Sequence, residues 1–312
     1  MLREWMSETR PRTLLLGATN CALGCALGFY YGLVTPYTVL TGVMIVVTGV
    51  LLQVLCNFAN DYGDAFRRAD TDRRLGPIRA VMSGAIALSQ LRKGMAWVTM
   101  LCAGCGFVAV ALAVGNNLQV LSWFIFLGVL SILAALFYTV GLAYGYLGLG
   151  DIAVFIFFGI VALIGSQVLV TAAGDSGLDV YPDTMLLGLS VGFASVMLLH
   201  VSNTRDIEED RLHGKLTLPA RFGYRFSAVY MAVLFVLTAA SSCSACIFSH
   251  QIWQTAFLAC ALVPLLIATI NTCWHVHDSA RVARQRKLTA MGVALHNVAW
   301  MVVLLVDFIA YY

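Results

Sequence analysis

Apolar residues run along this chain in long unbroken stretches separated by short polar segments. No stretch alternates with the period of two that a half-buried strand or a membrane barrel shows. The hydrocarbon slab of a bilayer is about 30 Å thick, so a spanning helix needs roughly 20 mostly apolar residues. Nine stretches meet that requirement: 13–32, 39–58, 94–114, 118–140, 152–172, 185–202, 226–248, 252–273 and 288–311. The pattern predicts an all-α polytopic membrane protein with nine transmembrane helices, read as a single domain over residues 1–312.

Composition and charge strengthen this picture. Of the 312 residues, 60% are hydrophobic and 11% charged, against about 25% charged in soluble domains. All 19 Lys and Arg fall before span one or in the segments between spans two and three, six and seven, and eight and nine. The positive-inside rule therefore places the N-terminus and these loops in the cytoplasm. The longest opposite loop carries only acids, Asp175, Asp179 and Asp183. The net charge of +3 thus reports topology, and nucleic-acid binding is not expected. The first apolar run is long enough to span and shows no cleavage site, so no cleavable signal peptide is expected. The pairs Cys102/Cys105 and Cys243/Cys246 lie inside helical runs and read as packing residues.

Two of the basic segments open on acids. One reads Asn57-Phe58-Ala59-Asn60-Asp61-Tyr62-Gly63-Asp64, with Asp70 and Asp72 beyond. The other reads Asn203-Thr204-Arg205-Asp206-Ile207-Glu208-Glu209-Asp210. Each follows an even-numbered span, four spans apart, as in a weak internal repeat. If the spanning helices continue, Asn60 and Asp64 share a face, as do Asp206 and Asp210, while Asp61 and Asp64 are i, i+3 neighbours. Like charges so placed repel, more strongly beside a low-dielectric slab. A hard cation offsets this, and Mg²⁺ is commonly held by one or two carboxylates, waters and substrate phosphates. No His/Cys cage suggests zinc. Arg73, Arg74 and Arg79 in one loop, and Arg205, Arg211, Lys215 and Arg221 in the other, suit phosphate oxygens. Arg67, Arg68, Arg92 and Lys93 read as topological anchors.

At these residues the chain resembles the UbiA superfamily of intramembrane prenyltransferases. Asn60-Asp61-Tyr62-Gly63-Asp64 is similar to its N-D-x-x-D motif, and Asp206 through Asp210 to its second D-x-x-x-D motif. Closer similarity is to the branch that prenylates 1,4-dihydroxy-2-naphthoate in menaquinone synthesis. It rests on Asp72-Arg73-Arg74-Leu75-Gly76-Pro77-Ile78-Arg79, Tyr138-Thr139-Val140-Gly141, Tyr146-Leu147-Gly148-Leu149-Gly150-Asp151 and Gly214-Lys215-Leu216-Thr217-Leu218.

The resemblance implies an enzyme of a bacterial cytoplasmic membrane. It would join a polyprenyl diphosphate to 1,4-dihydroxy-2-naphthoate, with loss of diphosphate and CO₂, to give demethylmenaquinol. On that reading Asn60, Asp64, Asp206 and Asp210 ligate Mg²⁺, as two ions bridged by the diphosphate, and Asp61 is a further catalytic candidate. Arg79, Arg205 and Lys215 contact diphosphate oxygens. Tyr62, Tyr138 and Tyr144 either face an allylic carbocation or belong to the interfacial aromatic belt. Asp151 either positions the acceptor or caps its helix. His296 and Asn297 are expected to hydrogen-bond between helices. Two rivals stand beside this reading: another aromatic acceptor such as 4-hydroxybenzoate, and a secondary transporter. A transporter would place its ionisable groups near the bilayer midplane, whereas these acids gather at one face.

Overall fold

The computed structural model describes residues 2–67, 80–115, 117–249 and 252–311. Regular structure among them is entirely helical. In chain order the helices are α1 (Leu2–Glu8), α2 (Pro11–Tyr31), α3 (Pro36–Phe66), α4 (Leu88–Val114), α5 (Leu118–Phe137), α6 (Gly150–Val154), α7 (Gly165–Ala173), α8 (Pro182–Arg205), α9 (Ile207–Leu212), α10 (Leu218–Ser249), α11 (Ile252–Ala261), α12 (Val263–Trp274) and α13 (Ser279–Tyr311). A wider-wound π segment, Phe155–Ile164, joins α6 to α7 in one span. Nine segments among the described residues are long and apolar enough to cross a membrane, matching the nine apolar runs.

Local chemistry sets the helix ends. At the start of α3, the Thr35 hydroxyl accepts from the Thr38 amide at 3.2 Å and the Thr38 hydroxyl accepts from the Thr35 amide at 2.8 Å. Pro36 occupies the first turn, where its missing N–H costs nothing. Several segments depart from the expected limits, α4 and α10 by beginning six and eight residues early. α3 runs eight residues past 58, so Asn60 through Asp64 lie on continuous helix. The span expected over 118–140 stops at Phe137, ahead of a turn in which Gly141 and Ala143 take positive φ. The span expected over 252–273 breaks at Leu262, beside Pro264. α13 begins nine residues before its apolar run, carrying the last basic segment on helix.

α8 lies at the centre of the bundle, packing on α10, the π segment and α13, and also touching α2. Small residues permit the closest approach. A Cβ on Gly159 of the π segment would lie 2.5 Å from the Gly188 carbonyl oxygen and 2.6 Å from the Gly192 Cα on α8. Between α2, α8, α10 and α13 several polar side chains hydrogen-bond one another. The Asn297 amide donates to Asn20 at 2.8 Å, His296 lies 3.0 Å from the Ser242 hydroxyl, and the Trp300 indole donates to that hydroxyl at 2.9 Å. The interhelical bonding expected of His296 and Asn297 is therefore present.

Replacing Gly159 with Leu drives a side chain into the α8 backbone. The expected loss is at least about 1–3 kcal/mol, read as a lower denaturation midpoint of the purified protein in detergent. An unchanged midpoint would contradict the close packing.

Candidate active site

α3 and α8 each end at the basic end of the bundle, and there the two acid clusters meet at one cavity of about 900 Å³. Asn60 and Asp64 enter its wall from α3, and Asn203, Arg205 and Asp206 from the end of α8. Ile45, also on α3, lines it too. Nineteen residues separate Ile45 from Asp64, about 28 Å at 1.5 Å per residue, so the cavity runs through most of a bilayer's depth. Its body is apolar. Phe107 on α4 and Leu127 on α5 belong to its apolar lining.

Tyr146 ties the rim together. It sits in a 3₁₀ turn, Tyr144–Leu147, and its hydroxyl donates to Asp64 at 2.8 Å. Its carbonyl accepts from the Leu216 amide at 2.8 Å. The Arg67 guanidinium lies 4.9 Å from its ring centroid and the Lys215 ammonium 5.5 Å. Burial, and then the Asp64 carboxylate, push the pKa of the Tyr146 phenol up, so it stays protonated and remains a hydrogen-bond donor. Lys215 also pairs with Asp210 at 3.7 Å.

The expected helical continuation of the second cluster needs correction. α8 ends at Arg205, and Asp206 leaves helical geometry with φ −99° and ψ 15° before α9 begins. Asp206 carries the Arg205 guanidinium on both its oxygens, at 2.6 and 2.5 Å. Asp210 lies just behind the cavity wall, accepting from the Thr217 hydroxyl at 2.9 Å. Its carboxyl is pushed up to about 6. Burial is the main cause, Lys215 opposes it, and the carboxylates of Asp206 and Asp64 add to it. Asp64 and Asp210, far apart in sequence, are therefore electrostatic neighbours.

The residues fit a divalent ion. The side-chain oxygen of Asn60 is buried without a hydrogen-bond partner, on the same cavity wall as Asp64 and Asp206. A buried amide oxygen left unmatched is costly unless a ligand takes it. Among the described residues no three His, Cys, Asp or Glu side chains form a ready metal cage. That is the arrangement expected where substrate phosphates and water complete the coordination.

The other candidates divide. Tyr138 and Tyr144 line the cavity, edge to face with ring centroids 5.3 Å apart, and the Tyr144 hydroxyl is anchored on the Ala134 carbonyl at 2.8 Å. Tyr62 instead stacks on Phe66 away from the cavity wall. Arg79, with Asp70, Asp72, Arg73 and Arg74, lies outside the described residues. Asp151 is buried off the cavity, hydrogen-bonded to Tyr230, and makes no side-chain cap for its helix. The wall is thus not where Asp151 sits, because the turn before α6 aims it at α10. Asp61 departs most. One helical step from Asn60 rotates it by about 100°, away from the cavity and onto Arg10 and Glu8.

A family model described as the UbiA prenyltransferase family matches residues 21–298. The chain belongs to the UbiA prenyltransferase family. Within it, the 1,4-dihydroxy-2-naphthoate octaprenyltransferase of Haemophilus influenzae is 37% identical over 266 residues, covering 85% of this chain and 83% of that protein. The Escherichia coli protein of the same name is 33% identical over 297 residues, covering 95% and 92%. Among solved structures, an apo UbiA homolog from Aeropyrum pernix superposes with TM-score 0.69 at 16% identity, covering 94% of this chain and 97% of that one. A UbiA homolog from Archaeoglobus fulgidus bound to DMAPP and Mg²⁺ gives 0.57 at 14%, covering 95% and 99%. A UbiA-type helical membrane fold and a prenyltransferase activity follow for this chain.

Residue reasoning missed Tyr146, Arg10 and Glu8. Tyr146 lay inside a matched motif, but nothing in sequence separates its hydroxyl from those of Tyr138 and Tyr144. Arg10 and Glu8 carried no motif, and Arg10 read only as a topological charge. Glu8 bonds both Asp61 and the Ala80 amide, fastening α1 to the stretch that follows the first acidic cluster. Burial, and then Asp61, push the Glu8 carboxyl from 4.5 to about 8, so it is protonated at neutral pH. The folded value lies above the unfolded one, so its contribution is complete below about 4.5 and is lost progressively as pH rises from there through about 8. The thermal midpoint of the wild type should fall between about pH 5 and 8 on this account and level off above. The variant Glu8→Gln, which keeps a donor and an acceptor without titrating, should lose that fall. Parallel pH curves for the two proteins would refute the raised Glu8 carboxyl.

Proposed function

We propose that this UbiA-family enzyme transfers a polyprenyl group from polyprenyl diphosphate to 1,4-dihydroxy-2-naphthoate. Diphosphate and CO₂ are lost and demethylmenaquinol is formed, at the cytoplasmic face of a bacterial inner membrane. One observation carries the reading: oxygen ligands and bases from two distant helix ends share the mouth of a cavity whose body is apolar. The 33–37% identity to the two dihydroxynaphthoate octaprenyltransferases supports the acceptor, and the DMAPP and Mg²⁺ in the Archaeoglobus relative support the donor class.

The chain's own residues divide the work. Asn60, Asp64 and Asp206 hold Mg²⁺ at the rim, with Asp210 behind them completing the acidic field. Bound Mg²⁺ supplies positive charge to the diphosphate oxygens as the leaving group departs. Lys215 and Arg205 reach the same oxygens, Arg205 turning from Asp206 toward the substrate, and Arg79 from the following loop is a third base. Donors fixed before reaction stabilise the developing charge without reorganising. The allylic C–O bond breaks with its electron pair on the diphosphate. The Tyr138 and Tyr144 faces stabilise the resulting cation by about 0.5–2 kcal/mol each. The electron-rich naphthoate ring attacks through the carbon bearing its carboxylate, and loss of CO₂ restores the aromatic ring. The long apolar cavity keeps the isoprenoid tail and the cation from water throughout.

Asp64→Ala and Asp206→Ala should each lower transfer by more than about 100-fold while still inserting into the membrane and purifying as folded protein, with at most a lower melting midpoint from the lost rim contacts. Chelating Mg²⁺ should do the same reversibly. Substantial retained activity in either variant would sink the metal assignment. For the acceptor, carboxyl-labelled ¹⁴C-dihydroxynaphthoate should release ¹⁴CO₂ in step with prenyl transfer. Transfer to 4-hydroxybenzoate in its place would overturn the choice of acceptor and leave the donor chemistry standing.

A further inference from the structure

The last basic segment holds Arg281, Arg284, Arg286 and Lys287. Three of these behave as surface charges: Arg281 pairs with Asp278 at 3.1 Å in the open, and Arg284 and Lys287 are exposed. Arg286 differs. It is half-buried and lines the cavity. On α13 it stands four residues after Val282, three before Thr289 and seven before Val293, each of which is fully buried. Those spacings define one helical face, so Arg286 occupies the inward stripe of α13. It lies about 10 Å along the helix from Ser279. A charge serving only to orient the chain would sit with the other three on the outer face.

We propose that Arg286 holds the carboxylate of the aromatic acceptor; this deepens the reading above and rests on the acceptor being an aromatic carboxylate. The cavity must receive two anions. The diphosphate is drawn to the rim formed by Asn60, Asp64, Asp206 and Lys215. A carboxylate brought into an apolar cavity requires a cation of its own, and a guanidinium fork matches both its oxygens. α13 supplies that cation from a helix carrying neither acidic cluster, against the wall made by α2 and α8. Helical packing fixes where the fork enters, which orients the acceptor ring relative to the donor.

The test uses the purified full-length protein with Mg²⁺. If the wild type fails to prenylate dihydroxynaphthoate, the acceptor reading falls, whatever Arg286 does. With an active wild type, Arg286→Gln should raise the acceptor KM by about 10- to 100-fold and leave the donor KM within about twofold. Inhibition by 1-hydroxy-2-naphthoate should weaken by the same factor, while inhibition by 1-naphthol, which lacks the carboxylate, should hold. Arg286→Lys should recover part of the loss. It preserves the inhibitor comparison if the Gln variant fails to fold. A rise in donor KM instead, equal weakening of both inhibitors, or no change in either would overturn the assignment.

Discussion

The hydrogen bond from Tyr146 to Asp64 is the junction on which the rim of the cavity depends. Asp64 closes a helix that crosses the membrane from the opposite side, while Lys215 and Asp210 belong to a turn reached only after four further spans. Nothing in either helix brings these groups into register. Tyr146 does so through three different interactions: its hydroxyl on Asp64, its carbonyl on the Leu216 amide, and its ring beneath Lys215 and Arg67. A neutral donor on Asp64 and a cation on Asp210 lie between two carboxylates that raise one another's proton affinity, and the proposed divalent ion would offset the same repulsion.

The N-D-x-x-D run shows how helical geometry sorts neighbouring acids into different tasks. Asn60 and Asp64, a turn apart, look into the cavity. Asp61 between them looks out, where Arg10 and the protonated Glu8 receive it. The same helix end therefore serves the cavity with one face and fastens the N-terminal helix with another. Arg10 spans both, pairing with Asp61 while lining the cavity. A displacement of α1 would be felt at the rim through this single side chain.

Much of this was legible in the chain itself. The nine spans found among the described residues follow from hydrophobic length, because a lipid slab imposes that constraint on every crossing alike. The acid pairs were legible for the same reason: Asn60 and Asp64 obey the period of a helix that does continue. The second cluster was harder. The break at Asp206 is a local backbone choice made after Arg205 folds back on its own neighbour, and no periodicity announces it. Asp61, Asp151 and Tyr146 were misplaced or missed because their roles depend on which helix lies across from them. Arg286 is the converse case: its inward stripe emerges only once Ser279 is known to begin the helix, nine residues ahead of the apolar run.

The apolar body of the cavity, set among helices long and apolar enough to cross a bilayer, changes what substrate concentration means for this enzyme. An isoprenoid tail partitions into lipid rather than water, so encounter is governed by molecules per unit of bilayer rather than per litre. Half-saturation by the prenyl donor is then a mole fraction, and adding lipid or detergent at constant donor dilutes the substrate as surely as adding buffer dilutes a sugar. The product, having shed the diphosphate, is more apolar still and stays in that phase.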